Sequence, residues 1–317
     1  MSTFSPANKN PILVTGAHRT GTTWVGKMLA ASEEAGYISE PLNKLHRLGV
    51  MRAPVQSWYT YIDAQNEDRY LPALQETLRF RYHLLTEIST LRSFKDLLRM
   101  GRDWSSFLAS RLHRKRPLIK DPFAFFSAPW FIERLGCQVV LTVRHPAAFS
   151  SSLKRLGWTF DFNDLLQQPL LMEHWLEPFR DDMVNALKAP DDIIGQASLL
   201  WRMIYHVAET FRHRFPQIQL VRHEDLSLQT EEGFSRLYTA LGLRFDKKVK
   251  ETILNASSAD NPAEASRKAA YTVRLDSAAT LDNWKRRLSS AEVCRIRSLT
   301  GEIAEKYYSE QSWEVKP

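Results

Sequence analysis

The segment Val14–Trp24, near the start of the chain, constrains the fold more than any other part of the sequence. Gly16 and Gly21 stand at the spacing of the P-loop pattern G-x-x-x-x-G-K-[ST]. A short apolar run, Ile12–Val14, precedes this segment, and a helical pattern follows it. A strand that enters a helix through such a turn directs backbone N–H groups and the positive end of the helix dipole at an anion. The segment therefore predicts an α/β fold with an anion site at its first strand-to-helix turn.

The side chains of this loop restrict the kind of anion. Thr22 occupies the position of the P-loop lysine, and the nearest cation is Arg19, inside the loop. This combination favours a phosphosulfate over the γ-phosphate of magnesium-bound ATP. The alternative is a glycine-containing turn that binds no phosphate.

Apolar runs with helical stretches between them predict the architecture. Such an alternation is typical of a parallel sheet with helical crossovers, so we expect a P-loop-like three-layer sandwich, a central parallel sheet flanked by helices. A largely helical insertion, about residues 71–112, separates the first predicted strand from the next, and residues 1–317 are expected to form a single domain. The predicted strands are Ile12–Val14, Leu118–Ile119, Val139–Val143 and Ile218–Val221.

Composition limits the possible partners. The formal net charge is +7, which suits a polyanionic cofactor or an acidic acceptor. The sequence has no zinc-finger, basic-zipper or RNP-like motif, so we expect no nucleic-acid partner. Two cysteines, Cys137 and Cys294, provide neither a disulfide framework nor metal-ligand spacing, and both are expected to be buried.

No stretch approaches 18 uninterrupted apolar residues, so no membrane span is expected. The polar segment Met1–Asn10 lacks the apolar core of a signal peptide, which favours a cytoplasmic location. The aromatic and basic residues of the insertion either cover an acceptor cleft or form a helical cap with a solvated basic face; they include Arg79, Phe80, Arg81, Tyr82 and Trp104.

A second candidate anion site follows the strand Val139–Val143. Arg144 ends this strand, Pro146 suits the first turn of a helix, and Ser152 lies eight residues after the arginine. A guanidinium and a hydroxyl near one helix N-terminus can hold a phosphate. Alone this motif is weak evidence for a phosphate site, and together with the first loop it is stronger evidence.

Together these segments resemble the PAPS-dependent sulfotransferases, in particular their bacterial and carbohydrate-type branch. These enzymes transfer a sulfuryl group from 3′-phosphoadenosine 5′-phosphosulfate (PAPS) and release PAP. The resemblance runs from about residue 11 to residue 288 and implies that Arg144 and Ser152 hold the 3′-phosphate. It assigns the 5′-phosphosulfate loop, with the tryptophan beside the adenine, to Arg19, Thr20, Gly21, Thr22, Thr23 and Trp24.

Two later segments also resemble the family. Val221–Leu226 matches a strand-end segment in which His223 replaces a tyrosine that helps to fix the adenine. Trp284 and Lys285 match a segment that closes over the nucleotide. The Arg-Lys-Gly triplet that usually precedes this segment is absent, and Arg267 and Lys268 lie well upstream of it.

The resemblance also indicates where the catalytic groups lie. Pro122 stands where the aryl and steroid enzymes carry their catalytic histidine, so the base must come from elsewhere. Glu40 matches the glutamate proposed as the base in the bacterial and carbohydrate branch; the alternative is a surface glutamate before a turn proline. Arg19 and Lys120 are expected to stabilise charge on the sulfuryl and bridging oxygens, unless Lys120 only pairs with Asp121. Alternative bases are His18, His46 and His145.

The sequence thus predicts a metal-independent PAPS-dependent sulfotransferase acting on the hydroxyl of a carbohydrate, a lipid or a small alcohol. One rival is a P-loop nucleotide kinase or NTPase, although no apolar strand ends in an acidic residue of the Walker B type. Another is an anion-binding module of the same fold without turnover. The sequence indicates no oligomeric state.

Overall fold

The computed structural model describes residues 10–265 and 272–314. Within them, parallel strands form a five-stranded sheet in the order β2-β3-β1-β4-β5. The predicted α/β class and parallel sheet are confirmed. The strands are β1 Ile12–Gly16, β2 Ala35–Ser39, β3 Arg116–Lys120, β4 Gln138–Val143 and β5 Gln219–Arg222.

Helices connect the strands and continue after the last of them. The first part of the chain contains α1 Thr22–Leu29, α2 Leu71–Leu78, α3 Leu84–Ile88, α4 Phe94–Leu112, α5 Ala128–Leu135 and α6 Pro146–Leu156. It is followed by α7 Asn163–Leu166, α8 Pro169–Leu171, α9 Arg180–Leu187, α10 Ile193–Arg214, α11 His223–Leu228, α12 Thr230–Leu241, α13 Lys247–Ser257, α14 Asn283–Arg287 and α15 Ser290–Ala304. Shorter 3₁₀ turns include Pro122–Ser127 and Ala279–Asp282.

Both faces of the sheet are buried, which explains why its central strands read as continuous apolar runs. Successive side chains of a strand point to opposite faces. In β1, Leu13 joins the larger core with helices α5, α6, α10 and α15, whereas Ile12 and Val14 join a second core with α1, α12 and α13. In β4, Leu141 likewise joins the larger core and Val140 joins the second. The sheet is therefore the middle layer of three, as predicted.

The helical insertion is confirmed as α2, α3 and α4, but the prediction that it separates the first strand from the next is wrong. β2 lies between β1 and the insertion, at the edge of the sheet. Its sequence, Ala-Gly-Tyr-Ile-Ser, contains a glycine and a serine and does not read as a strand. Pairing with β3 and burial of Ile38 hold it in place instead.

Three further observations concern the cysteines and the helices. Cys137 is buried as expected, but Cys294 is exposed, so its predicted burial is wrong. Helix α15 begins with a capping box formed by Ser289 and Glu292. Across the described ranges, no helix is long and apolar enough to span a membrane.

The turn from β1 to α1 depends on Gly16. Its φ is +141°, a region that L-residues rarely adopt, and a Cβ there would lie 2.5 Å from the carbonyl oxygen of Thr142 in β4. The missing side chain lets β1 and β4 approach where the loop leaves the sheet.

We predict that Gly16→Ala lowers the free energy of unfolding by about 2 kcal/mol or more, because it combines backbone strain with a clash against backbone atoms. Gly101→Ala is the matched control, since its Cβ would meet nothing within 4 Å in helix α4. That variant should be stabilised by about 0.5–1 kcal/mol. Urea denaturation of both variants measures the difference, and equal stability would contradict the assigned role of Gly16.

Candidate active site

A cleft of about 540 Å³ opens at the edge of the sheet where the parallel strands end. Ligands of open α/β sheets bind at this edge, beside the point where the strand order reverses. The cleft falls in the volume range of small-molecule sites. Residues that line it include His18, Arg19, Gly21, Thr22, Thr23, Trp24, Glu40, Asn43, Leu45, Trp58, Phe123, Arg144, Trp158, His223, Val273 and Leu275.

The first predicted anion site lies on this cleft. Helix α1 begins at Thr22, and no side chain caps its N-terminus. Gly21 has a φ of +95°, and a Cβ on it would lie 2.6 Å from Nδ1 of His223. The loop thus presents uncapped N–H groups and the positive end of the helix dipole to the cleft. Thr20 is turned away from it, because its hydroxyl donates to the carbonyl of Ala17 at 2.6 Å.

The second predicted anion site adjoins the first. Arg19 Nε donates to Ser152 Oγ at 3.2 Å, and Arg144 Nη1 donates to the carbonyl oxygen of Arg19 at 3.3 Å. β1 and β4 are neighbours in the sheet, so the turns after them meet although they are far apart in sequence. The structure therefore brings Arg19, Arg144 and Ser152 together.

Arg144 is a partly buried cation that lines the cleft and whose hydrogen bonding is incomplete. Burial lowers the pKa of its guanidinium, while the carboxylate of Glu224 opposes this change. Its Nε is buried and has no hydrogen-bond partner within the described part of the chain. The positive charges of Arg287 and Arg155 also lower this pKa, and both arginines are paired with Glu264. This concentration of cations favours a bound anion.

Sequence reasoning gave Arg155 and Arg287 no role at this site. Arg155 was visible only as a basic residue on helix α6. Arg287 follows the Trp284-Lys285 segment, and the sequence carries no signal that helix α14 packs against α6.

Glu40 and Lys120 form an ion pair on the other side of the first loop. Glu40 Oε1 accepts a hydrogen bond from Lys120 Nζ, and Glu40 Oε2 accepts one from Asn43 Nδ2 at 2.6 Å. Lys120 is buried, whereas Glu40 lines the cleft. Lys120 thus pairs with Glu40, and the alternative in which it pairs only with Asp121 is wrong.

Backbone strain is concentrated at this site. Among the described residues other than glycine, positive φ angles occur at Arg19 (68°), Glu40 (48°), Tyr59 (55°), Phe80 (53°) and Arg114 (49°). Arg19 and Glu40 line the cleft, and the hydroxyl of Tyr59 is hydrogen-bonded to His18, which also lines it. Strained residues of this kind persist where the surrounding structure fixes them, and they cluster at functional sites.

The carboxylate of Asp121 fixes the turn that contains Glu40 by accepting a backbone hydrogen bond from it. Its Oδ2 accepts from the backbone N–H of Leu42 at 2.6 Å and its Oδ1 from that of Phe123 at 2.9 Å. Burial, together with the nearby charge of Glu40, raises the pKa of this carboxyl to about 7. Although Asp121 directly follows strand β3, it does not line the cleft.

The three histidines considered as alternative bases lie in different surroundings. His145 is buried, its ring stacked on Trp284 at 5.3 Å. The ring nitrogens of His46 contact the backbone oxygens of Asn43 and Met51. His18 alone of the three lines the cleft; its Nδ1 is 2.8 Å from Tyr59 Oη, and burial lowers its pKa to about 3.

Trp24 and His223 form one wall of the cleft. Their rings meet edge to face at 5.3 Å. His223 Nδ1 is buried and has no hydrogen-bond partner among the described residues, and burial lowers the pKa of the imidazole well below its usual value. A neutral imidazole beside an indole is an apolar surface suited to a planar base.

Several residues singled out in the sequence lie outside the cleft lining. Trp284 is buried against His145, and Lys285 is paired with Asp282 at 2.8 Å. Arg267 and Lys268 lie outside the described residues. In the described part of the chain, the cleft lining includes none of the insertion residues that sequence analysis named, and no group of metal-ligating side chains is found.

A sequence model described as the sulfotransferase family matches residues 11–247, more than half of the 317 residues. The chain belongs to the sulfotransferase family. This membership supports a transferase function and confirms the resemblance inferred from the motifs. Curated protein sequences include no significant match to this sulfotransferase-family chain.

Solved structures similar to this family member include three that are described as sulfotransferases. A sulfotransferase domain from the Synechococcus PCC 7002 olefin synthase is 17% identical, with a TM-score of 0.47, and the match covers 98% of this chain and 99% of that one. A domain from the curacin biosynthetic pathway is 16% identical, with a TM-score of 0.45 and coverages of 92% and 98%. Mouse sulfotransferase SULT7A1, complexed with PAP, is 12% identical, with a TM-score of 0.46 and coverages of 96% and 87%.

The raised pKa of Asp121 gives a testable pH dependence in this sulfotransferase-family protein. The folded-state pKa of about 7 lies above the value of about 3.9 for an unfolded aspartate, so the folded chain keeps a proton that the unfolded chain releases. Stability from this group is complete below about pH 4 and is lost as the pH rises to about 7. The free energy of unfolding of the wild type minus that of Asp121→Asn should therefore fall over this range.

Asp192→Asn is the control, because an ion pair with Arg295 lowers the pKa of Asp192. The stabilisation by Asp192 is present above the pKa of the unfolded state and is lost only at lower pH. The free energy of unfolding of the wild type minus that of Asp192→Asn should therefore stay constant between about pH 5 and pH 7. Urea denaturation at several pH values measures both. A constant difference for Asp121→Asn would contradict the buried, proton-binding carboxyl.

Proposed function

We propose that the chain is a PAPS-dependent sulfotransferase that transfers the sulfuryl group to a hydroxyl of an acceptor bound in the cleft. The observation that carries this proposal is the presence of two adjoining anion sites in one cleft. One is the N-terminus of α1, whose N-cap residue Gly21 has no side chain to cap it, and the other is the partly buried guanidinium of Arg144 just before α6. A ligand with separate 3′-phosphate and 5′-phosphosulfate groups satisfies both.

The residues present fit such a donor. The unpartnered Nε of Arg144 offers a hydrogen bond to a 3′-phosphate, and Ser152 lies within reach of Arg19 beside it. A Cβ on Gly21 would clash with Nδ1 of His223 at 2.6 Å, so the glycine lets this imidazole pack directly against the loop. Trp24 and His223 offer an apolar wall to the adenine.

Glu40 is the proposed base. Its carboxylate lines the cleft, and Asn43 and Lys120 fix its orientation. PAPS, when bound, supplies the sulfuryl group. Glu40 takes the proton of the acceptor hydroxyl, a role that typically contributes a factor of about 10² to 10⁴ in rate.

Arg19, Lys120 and the loop N–H groups are proposed to stabilise negative charge that develops during transfer. Removal of one such donor typically costs about 3–4 kcal/mol of transition-state stabilisation. Lys120 is poised for this role because its ammonium already lies against the cleft-lining carboxylate of Glu40. The proposed reaction uses no metal.

The acceptor class stays open among carbohydrates, lipids and small alcohols. The cleft wall near Glu40 is largely aromatic, with Trp58, Phe123 and Trp158. Such rings pack against the apolar faces of sugars as well as hydrocarbon. A cytoplasmic location and a single domain over residues 1–317 also remain predictions.

Calorimetric titration with PAP, ADP and ATP plus magnesium tests the donor site. We expect tight PAP binding that does not depend on magnesium and is much weaker for ADP, because ADP lacks the 3′-phosphate. Arg144→Ala should weaken PAP binding about tenfold or more while changing ADP affinity little, since a hydrogen bond to a charged group contributes about 1.5–3 kcal/mol.

Arg214→Ala, which removes an exposed ion pair with Glu133, is the matched control and should bind PAP like the wild type. Equal affinity for PAP and ADP, or a preference for magnesium-bound ATP, would exclude the 3′-phosphate assignment in favour of a nucleotide kinase.

Glu40→Gln tests the base. Its side chain keeps nearly the same shape but cannot accept a proton, so turnover should fall about 10²-fold or more while PAP affinity is retained. Glu33→Gln is the control, because this glutamate is exposed and paired with Lys248. Turnover is measured with PAPS and a panel of hydroxyl acceptors. Unchanged turnover in Glu40→Gln would remove it as the base, whereas PAP binding without turnover on any acceptor would favour a non-catalytic module.

A further inference from the structure

Helix α4 exposes a continuous stripe of large apolar side chains. Phe94 is 72% exposed, Leu98 60% and Leu112 71%. At about 100° per residue Phe94 and Leu112 share one angular position and Leu98 lies about 40° away, while further apolar residues fall within about 80° of Phe94 on the same side of the helix. The full stripe is Phe94, Leu97, Leu98, Trp104, Leu108 and Leu112.

The stripe cannot turn inward, because the opposite side of α4 is already packed. Phe107 is buried and meets the rings of Phe80 and Tyr82 edge to face, at 5.7 Å and 5.4 Å. Ser110 is buried beside Gly36 of the edge strand β2. Helix α4 is thus anchored by one face and exposes apolar side chains on the other.

The neighbouring helix α3 extends this exposed surface. Leu85 is 86% exposed and Ile88 52%, and α3 packs against α4. Arg47 fixes the two helices together, since its guanidinium is paired with Glu87 of α3 and, at 2.8 Å, with Asp103 of α4. We call the six residues of the stripe, with Leu85 and Ile88, the α3–α4 apolar face.

Basic side chains border this face. Lys95, Arg99 and Arg102 are exposed along one side of α4, Arg92 precedes the helix and Arg111 lies in its last turn. Helix α4 has two acidic residues, fewer than the basic residues at this border, and both are hydrogen-bonded or ion-paired. Asp96 accepts from Ser93 at the start of the helix, and Asp103 is paired with Arg47 and Arg102. The border of the apolar face is therefore positively charged.

We propose that the α3–α4 apolar face binds the surface of a lipid bilayer that contains anionic lipids, with α4 lying in the plane of the interface. Phe, Trp and Leu on one side of a helix with Lys and Arg beside them is the arrangement of interfacial helices. Anionic headgroups complement the basic border.

This orientation relates the membrane surface to the cleft. Leu45 lines the cleft and is 81% exposed, and it lies two residues before Arg47, which holds α3 and α4. The short segment 45–47 therefore connects the cleft lining to the two helices that carry the face. Membrane binding is a property of the surface and does not require the proposed sulfuryl transfer.

Co-flotation of the full chain with vesicles tests the proposal. The probes are vesicles of phosphatidylcholine alone and vesicles of phosphatidylcholine with phosphatidylglycerol. The chain should bind the anionic vesicles and lose binding as salt is raised, because exposed charges are screened. Phe94→Ser/Leu98→Ser should reduce the partition coefficient about tenfold or more, since the apolar contribution scales with the apolar area buried.

Matched controls separate this face from the rest of the surface. Leu228→Ser/Leu254→Ser removes exposed apolar side chains outside the face and should bind like the wild type. The triple variant Lys95→Gln/Arg99→Gln/Arg102→Gln should weaken binding to anionic vesicles. Its control, Lys188→Gln/Arg244→Gln/Lys247→Gln, loses the same charge at other exposed positions and should weaken binding much less. The charge variant keeps the test decisive if the apolar variant does not fold.

Three results would overturn the proposal. The first is no binding of the wild type to anionic vesicles, and the second is equal loss of binding in the test and control variants. The third is a wild-type dimer in solution that Phe94→Ser/Leu98→Ser converts to a monomer, with no vesicle binding by either, which would make the face an interface between two copies.

Discussion

The parallel pairing of β1 between β3 and β4 is the constraint on which the rest of the structure depends. Val14 of β1 pairs with Lys120 of β3, and Gly16 pairs with Thr142 of β4. Because the strands are parallel, the turns that follow them leave the sheet at the same edge. Groups separated by more than a hundred residues, such as Arg19 and Ser152, thereby come into hydrogen-bonding contact.

Charge inside the fold is arranged around the cleft in two different ways. On one side, Glu40 and Lys120 neutralise each other, and their positions are fixed by Asn43 and by the backbone contacts of Asp121. On the other side, Arg144 is partly buried, and its buried Nε has no hydrogen-bond partner among the described residues. A buried N–H group without a partner is unfavourable, so this side gains most from an anionic ligand. The asymmetry supports a donor-binding side and a proton-accepting side.

The local motifs predicted much of this site, because each lies within one short segment. The turn around Gly21, the Arg144-His145-Pro146 strand end and the cleft position of Glu40 could be read from the sequence. Residues whose role depends on packing between segments could not. The resemblance implies that the Trp284 segment closes over the nucleotide, which stays a prediction, but it gave no sign that the Trp284 ring stacks on His145. The sequence also gave no sign of the burial that raises the pKa of Asp121 to about 7.

The sequence by itself determined the α/β class, the parallel strands of the sheet centre and the position of the two turns proposed to bind anions, since these follow from apolar runs and from turn chemistry over a few residues. Only the tertiary structure decided that β2 completes the sheet edge, that Lys120 pairs with Glu40, and that the α3–α4 apolar face is exposed. The physical reason is that strand pairing and burial depend on neighbours distant in sequence. The spacing of apolar residues on α4 marks two opposite faces, and packing against Phe80 and Tyr82 selects which one is buried.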